Sequence, residues 1–244
     1  MHLERNAMSN PLVFHHREFE RDVRKILNKP EGQITDSDVS VITQLDCTNY
    51  TFDHNDINAL KHFINLEKLS IEINDADISF LSSFPKLKGL DLICINSENE
   101  MDLNVISCLR DLEYLFVSGG DISDIDFIST NALTGLTKLT DLSFHEFGTV
   151  DLSFLNQMPW IEEFLCGYAY EVLNIESIGK LKNLESLTLI DIEIDNLDFL
   201  DSLPDTMSLE LCGLELQNGI DMEKLKRFSE TDIDEITVGG KRIV

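Results

Sequence analysis

One apolar pattern governs this sequence: L-x-x-L-x-L, with other apolar residues admitted at its three fixed places. Clear copies begin at Leu66 (Leu66, Leu69, Ile71), Leu87 (Leu87, Leu90, Leu92) and Leu112 (Leu112, Leu115, Val117). Others begin at Leu139 (Leu139, Leu142, Phe144), Ile161 (Ile161, Phe164, Cys166) and Leu184 (Leu184, Leu187, Leu189). Degenerate copies flank them at Ile42 (Ile42, Leu45, Cys47), Thr206 (Thr206, Leu209, Leu211) and Ile233 (Ile233, Ile236, Val238). Successive starts lie 24, 21, 25, 27, 22, 23, 22 and 27 residues apart. A unit this short cannot bury its own apolar side, so the copies must stack, each covering its neighbour.

The period falls in the roughly 20–29 residue range of leucine-rich repeats. The expected fold is therefore an α/β leucine-rich-repeat solenoid. It has a parallel sheet on its concave face, short helical or 3₁₀ segments on its convex face and a helical N-terminal cap. Each copy is followed by a polar turn and an apolar return, as in Ile78-Ser79-Phe80-Leu81, Leu152-Ser153-Phe154-Leu155 and Leu197-Asp198-Phe199-Leu200. Phe80, Phe84, Phe127, Phe154 and Phe199 read as core fillers between sheet and return. Solenoid ends need covers. Phe19, Val23, Ile26 and Leu27 lie at helical spacing and predict an amphipathic helix over 14–27, closed by Pro30 and Gly32, with Thr35 or Asp36 capping a second helix. At the other end a helix over Ile220–Phe228 and a last strand over Ile233–Val238 are expected. The organisation is then a cap over 1–41, repeats over 42–231 and a C-terminal strand and tail over 232–244.

Leu27-Asn28-Lys29-Pro30-Glu31-Gly32-Gln33-Ile34-Thr35, followed by Ile42-Thr43-Gln44-Leu45, resembles the cap of bacterial internalin-type repeat proteins. Ile78-Ser79-x-Leu81 and Asp195-Asn196-Leu197-x-Phe199-Leu200 resemble the repeat of that family. The resemblance covers roughly residues 20 to 240 and implies an architecture and a protein-binding role, with no particular partner. The copies at Leu87 and Leu112 carry insertions, a departure from the uniform repeats of that family.

Charge narrows the partners. The 244 residues hold 19 Lys and Arg against 45 Asp and Glu, a net charge of −26. Such a chain repels phosphate backbones and anionic lipid surfaces, so nucleic acid and membrane are poor partners and a basic protein a good one. Residues 1–8 show neither the apolar core nor the cleavage site of a signal peptide, and no apolar run reaches the roughly 18 residues of a membrane span. Cys47, Cys94, Cys108, Cys166 and Cys212 cannot all pair in one chain and form no C-x-x-C. A cytoplasmic protein with reduced thiols is the expectation.

In a strand written L1-x2-x3-L4-x5-L6-x7, positions 3, 5 and 7 face the concave side. The middle copies place Asp91, Tyr114, Phe116, Asp141, His145, Glu163 and Leu165 there, with Tyr168 just beyond. Aromatic anchors among carboxylates are the composition of a protein-docking hot spot, and these eight residues form the candidate binding surface. The alternative is that the inserted segments after Leu92 and Val117 fold over them. His145 near Asp141 and Glu146 lacks a second imidazole or thiol, and so reads as a surface histidine rather than a ligand or base. The aspartate strings 121–126 and 191–198 lack the glycine and glutamate of a calcium loop and read as turn caps. His15-His16 precedes the first helix without a partner in reach. No nucleophile elbow, P-loop or dinucleotide fingerprint occurs, so neither enzyme activity nor a cofactor is expected. The readings that follow are a protein-binding module working through the concave face, an immunity-type inhibitor of a basic toxin or enzyme, and an internalin-like surface adhesin.

Overall fold

The computed structural model describes residues 11–74, 77–95, 102–119, 130–219, 221–228, 230–238 and 240–242. Phe127, the aspartate string 121–126 and most of the two inserted segments lie outside them. Strands begin two residues after the leading apolar residue of nearly every copy: β1 (Gln44–Phe52), β2 (Lys68–Ile73), β3 (Gly89–Cys94), β4 (Tyr114–Ser118), β5 (Asp141–Asp151), β6 (Glu163–Leu173) and β7 (Ser186–Ile190). They are followed by β8 (Glu193–Ile194), β9 (Ser208–Cys212), β10 (Glu215–Leu216), β11 (Glu230–Asp234), β12 (Thr237–Val238) and β13 (Lys241–Arg242). Nine form one parallel sheet in the order β1-β2-β3-β4-β5-β6-β7-β9-β11, and a small second sheet runs β13-β12-β10-β8. This is the α/β solenoid that the repeat demands.

Register puts like positions side by side. Leu90 pairs with Leu115, Leu115 with Leu142, Leu142 with Phe164 and Phe164 with Leu187. Because strand side chains alternate between faces, the fourth and sixth positions of every copy enter the core together, and both rows are buried from β2 to β9. The returns follow another arithmetic. Most pass through a 3₁₀ turn, whose three residues per turn put positions i and i+3 on one side. Apolar residues accordingly recur every third place, in Ile78-Leu81-Phe84-Leu87, Leu103-Ile106-Leu109-Leu112 and Leu152-Leu155-Met158-Ile161, all buried. The same residues carry their own backbone bonds: Leu81 N–H donates to the Ile78 carbonyl, Phe84 to Leu81 and Leu87 to Phe84, each within 3.1 Å. Buried backbone polar groups are thus satisfied without the sheet. Phe80, Phe84, Phe154 and Phe199 fill the core as expected.

Part of the acidity has a local use. Asp77, Asp102, Asp151 and Asp221 each accept from the backbone N–H two residues on, at 2.8–3.0 Å, where a turn begins. In the 191–198 string Asn196 does the same for Asp198. These are caps of backbone donors.

Both ends differ in detail from expectation. Helix α1 (Arg17–Ile26) buries Phe19 and Val23, with His16 Nδ1 accepting from Phe19 N–H. Phe19 packs edge-on at 5.1 Å against Phe52, the last residue of β1, and lies 5.9 Å from the Phe63 ring. Ile26, placed by spacing on the apolar face, is instead 57% exposed. The helix ends there and Asn28 turns left-handed, so the chain leaves before that face is complete. Helix α2 (Asp36–Val39) is capped by Thr35 rather than Asp36, in a reciprocal box with Asp38. Helix α3 (His54–Leu60), unforeseen, has the same device built from Asp53 and Asp56. Helix α4 is shorter than expected, Met222–Leu225.

The ninth copy is out of phase with its sequence reading. Glu230 pairs with Ser208 and Ile233 with Leu211, so the strand starts near residue 230, and the expected strand 233–238 divides into β11 and β12. Thr231 stands where a leucine belongs, beside Leu209. At a solenoid's end that position borders solvent, and the apolar match slips to the next hydrophobic triplet.

Candidate functional site

The residues expected on the concave face between β3 and β6 lie on the side of the sheet opposite the buried leucine rows. Tyr114 pairs with Asp141 and Asp141 with Glu163 along one row; Asp91, Phe116, Ser143 and Leu165 form the next; His145 stands in the third, beside Ser118 and Gly167. Neighbouring strands lie about 4.8 Å apart, so these rows are continuous surfaces. Tyr114, Phe116 and Leu165 are half-buried rather than fully exposed. Tyr168 is 47% exposed. The inserted segments that formed the alternative cover lie largely at 96–101 and 120–129, outside the described residues.

The aromatic residues make a line. The Phe116 ring lies 5.3 Å from the His145 ring, and His145 lies 5.4 Å from Tyr168, edge to face. Packed between two rings, His145 is pushed below the ordinary histidine pKa by burial, with Glu146 opposing. Its Nε2 is buried and meets no hydrogen-bond partner. Leaving such an atom unpaired costs about 1–3 kcal/mol.

Carboxylates border this line unequally. Asp91 is already engaged: Tyr114 Oη donates to one oxygen at 2.5 Å and Ser70 Oγ to the other. Burial, that hydrogen bond and nearby negative charge together raise the Tyr114 pKa. Asp141 has no such donors. Burial first, then the charges of Glu163 and Asp91, push its carboxyl up to about 6. A raised acid favours the fold when protonated: that contribution is fully present below the unfolded value near 3.8 and is lost as pH rises through about 6. Asp141→Asn should therefore stabilise the protein by about 1 kcal/mol at about pH 7.5, after discounting for solvent screening. Thermal melts across pH check this: the advantage of the variant should shrink on acidification toward about pH 4.

Three features escaped the sequence reading. Strands β5 and β6 run on past the repeat pattern, pairing Phe147 with Ala169 and Asp151 with Leu173. Tyr170, on that extension, is 74% exposed and Leu173 39% exposed. The third is a column of left-handed residues where the concave strands end: Glu146 (φ 58°), Tyr168 (φ 55°), Asp191 (φ 47°), Gly213 (φ 66°) and Glu235 (φ 57°). Register carries this column from strand to strand, since each follows an aligned residue: His145, Gly167, Ile190, Cys212 and Asp234. Only Gly213 announces it in sequence, because glycine alone adopts this conformation without penalty.

Reactive chemistry is sparse. Cys47 and Cys166 are buried, their thiols pushed up to about 12 by desolvation, which leaves them protonated and poor nucleophiles. No group of three or more His, Cys, Asp or Glu side chains suited to a metal ion occurs among the described residues. No helix there is long and apolar enough to cross a membrane.

No protein-family model matches the chain, and no curated protein matches it. Solved structures do. Internalin C2 from Listeria monocytogenes superimposes with a TM-score of 0.73 at 19% identity, over 96% of this chain and 100% of that one. Internalin F from the same organism gives 0.65 at 21% identity, over 93% and 67%. A leucine-rich-repeat protein from Leptospira interrogans gives 0.55 at 17%, over 74% and 51%. At such identities the agreement speaks of architecture. By fold, the chain is a leucine-rich-repeat solenoid of the internalin type.

Proposed function

We propose that this chain is a non-enzymatic binding module that grips a basic segment of another protein on its concave face. The observation that carries the reading is the aromatic line Phe116–His145–Tyr168 on the same sheet face as the Asp141 and Glu163 carboxylates. Asp141 and Glu163, side by side in the first row, offer carboxylates to a partner's guanidinium or ammonium, while the aromatic rings lie further along the same face. Tyr168 and Leu165 supply the apolar contact that such anchors need. A cation seated there would favour the Asp141 carboxylate against the burial and the neighbouring charges that raise its pKa, so the complex should strengthen as pH rises through about 6. The net charge of −26 supports fast, salt-sensitive association.

Affinity capture from the source organism, followed by binding measurements on the recovered partner, tests this. Phe116→Ala/Tyr168→Ala should weaken that binding by about a hundredfold, as hot-spot aromatics do at about 1–2 kcal/mol each or more. Undiminished binding by the double variant would remove the concave face from the account.

A further inference from the structure

Asparagine followed by glycine occurs once in the chain, at Asn218-Gly219. The pair lies between β10 and α4, and both residues are exposed. A β-carbon added at Gly219 meets nothing within 4 Å, so the nitrogen of that residue stands in open space. Among the described residues neither the Asn218 carboxamide nor the Gly219 N–H makes a hydrogen bond. Asparagines elsewhere are tied down. Asn65 Nδ2 donates to the Ser40 carbonyl, Asn156 Nδ2 to that of Ser153 and Asn174 Nδ2 to Asp151, while Asn196 Oδ1 accepts from Asp198 N–H. Each of these is also followed by a residue whose side chain restricts the backbone and screens its nitrogen.

We propose that Asn218 is a site of spontaneous covalent modification, deamidating through a succinimide closed by the nitrogen of Gly219. The co-reactants are hydroxide and water. Hydroxide takes the proton of the Gly219 N–H, and the nitrogen then attacks Cγ of Asn218. The new N–Cγ bond closes a five-membered ring as the Cγ–Nδ2 bond breaks. Ammonia leaves with a proton drawn from water, which returns the hydroxide. Water next opens the ring. Addition at Cγ restores the main chain with aspartate at 218. Addition at the main-chain carbonyl leaves isoaspartate, in which the chain runs through the former side chain and is one methylene longer. Either product carries a carboxylate where the amide stood. Glycine permits the closure because no β-carbon opposes the backbone rotation that it requires. The consequence falls on the last layers of the solenoid. Gly219 borders a small cleft with Asp198, Asp201 and Asp221, so the new charge arises beside an acidic surface. A lengthened main chain disturbs the place where Gln217 and Asn218 N–H donate to the Ile194 and Asp195 carbonyls, at 3.1 and 2.9 Å.

The site is independent of the concave face and is tested without a partner. The full chain is incubated at neutral and at mildly alkaline pH, digested with trypsin and mapped by mass spectrometry with fragmentation that separates aspartate from isoaspartate. A gain of one mass unit is expected at Asn218, accumulating over days and faster in proportion to hydroxide. Isoaspartate should outnumber aspartate, since the main-chain carbonyl of the ring is the more electrophilic. Gly219→Ala is the control variant. Gly219 lies outside the left-handed region and an added β-carbon touches nothing, so the fold tolerates alanine there. The variant should nevertheless convert about tenfold more slowly, because the β-carbon restricts the backbone at the attacking nitrogen. Converted protein should exchange the amides of Gln217 and Asn218 faster than fresh protein. Fresh Asn218→Asp, which has the charge without the added methylene, should not. The proposal is overturned if Asn218 gains no mass at either pH over weeks, or if the gain is spread evenly over the other asparagines. It is likewise overturned if Gly219→Ala converts as fast as the native chain, or if conversion requires unfolding in urea. Unchanged amide exchange in fully converted protein would overturn the structural consequence.

Discussion

Replacing Phe144 with alanine should lower the unfolding free energy by about 3–5 kcal/mol, the usual cost of truncating a buried phenylalanine. Phe144 is fully buried at the sixth position of the copy that begins at Leu139, between Val117 and Cys166 in register. Its ring meets Phe147 at 6.2 Å and Phe154 at 6.0 Å, both edge-on. The void should not close, because the flanking strands are held by continuous ladders and the return by its own backbone bonds. In a solenoid each unit touches only its neighbours, so a weak central unit uncouples the two ends. Urea unfolding followed by circular dichroism should show an earlier midpoint and a broadened or divided transition. A loss below about 1 kcal/mol would mean that the core repacks here far more readily than native packing density suggests.

The second large effect is expected at Gly119, the residue after β4. Its N–H donates to the His145 carbonyl at 3.0 Å, and a β-carbon added there would lie 2.2 Å from the Glu146 carbonyl oxygen. Real β-carbons do not come that close to backbone, and neither partner is a flexible side-chain end. Gly119→Ala must therefore push β4 and β5 apart where Glu146 turns left-handed, at a cost of about 3 kcal/mol. Because His145 and Phe116 sit on those two strands, the damage should also reach the aromatic line. Melting temperature and partner affinity should fall together in this variant. Asp141→Asn, by contrast, leaves the backbone alone. Unchanged stability in Gly119→Ala would show that the two strand ends can separate freely.

How much of this could be read beforehand depends on which interactions fix each feature. Leu69, Leu90 and Leu142 could be placed in the core from spacing alone, because a strand's period of two dictates their side. The concave positions of Tyr114, Phe116 and Glu163 follow by the same counting. Their depth does not: half-burial of Tyr114 depends on Asp91 one strand away, and that of Phe116 on His145. The unmet Nε2 of His145 is likewise a property of three strands together. Ile26 failed because spacing gives the direction of a helical side chain and not whether anything lies opposite it. The extensions of β5 and β6 were hidden since left-handed Glu146 and Tyr168 interrupt the alternation that marks a strand. The ninth copy failed at Thr231, where the apolar rule lapses at the boundary.

The column of left-handed residues has a consequence for how such a molecule can change length. Each marks a point where the chain has the same direction and the same place relative to its neighbours, one layer further along. The stretch 192–213, from the residue after Asp191 through Gly213, contains β8, a return and β9, and it starts and ends in matching geometry. Excising or duplicating that stretch joins like to like. Growth and shortening in such whole steps keep the superhelix intact, whereas a cut elsewhere leaves ends that point apart. Seen this way the column is a set of splice marks, and the distance between the two caps becomes an adjustable quantity that evolution or a designer can alter one layer at a time.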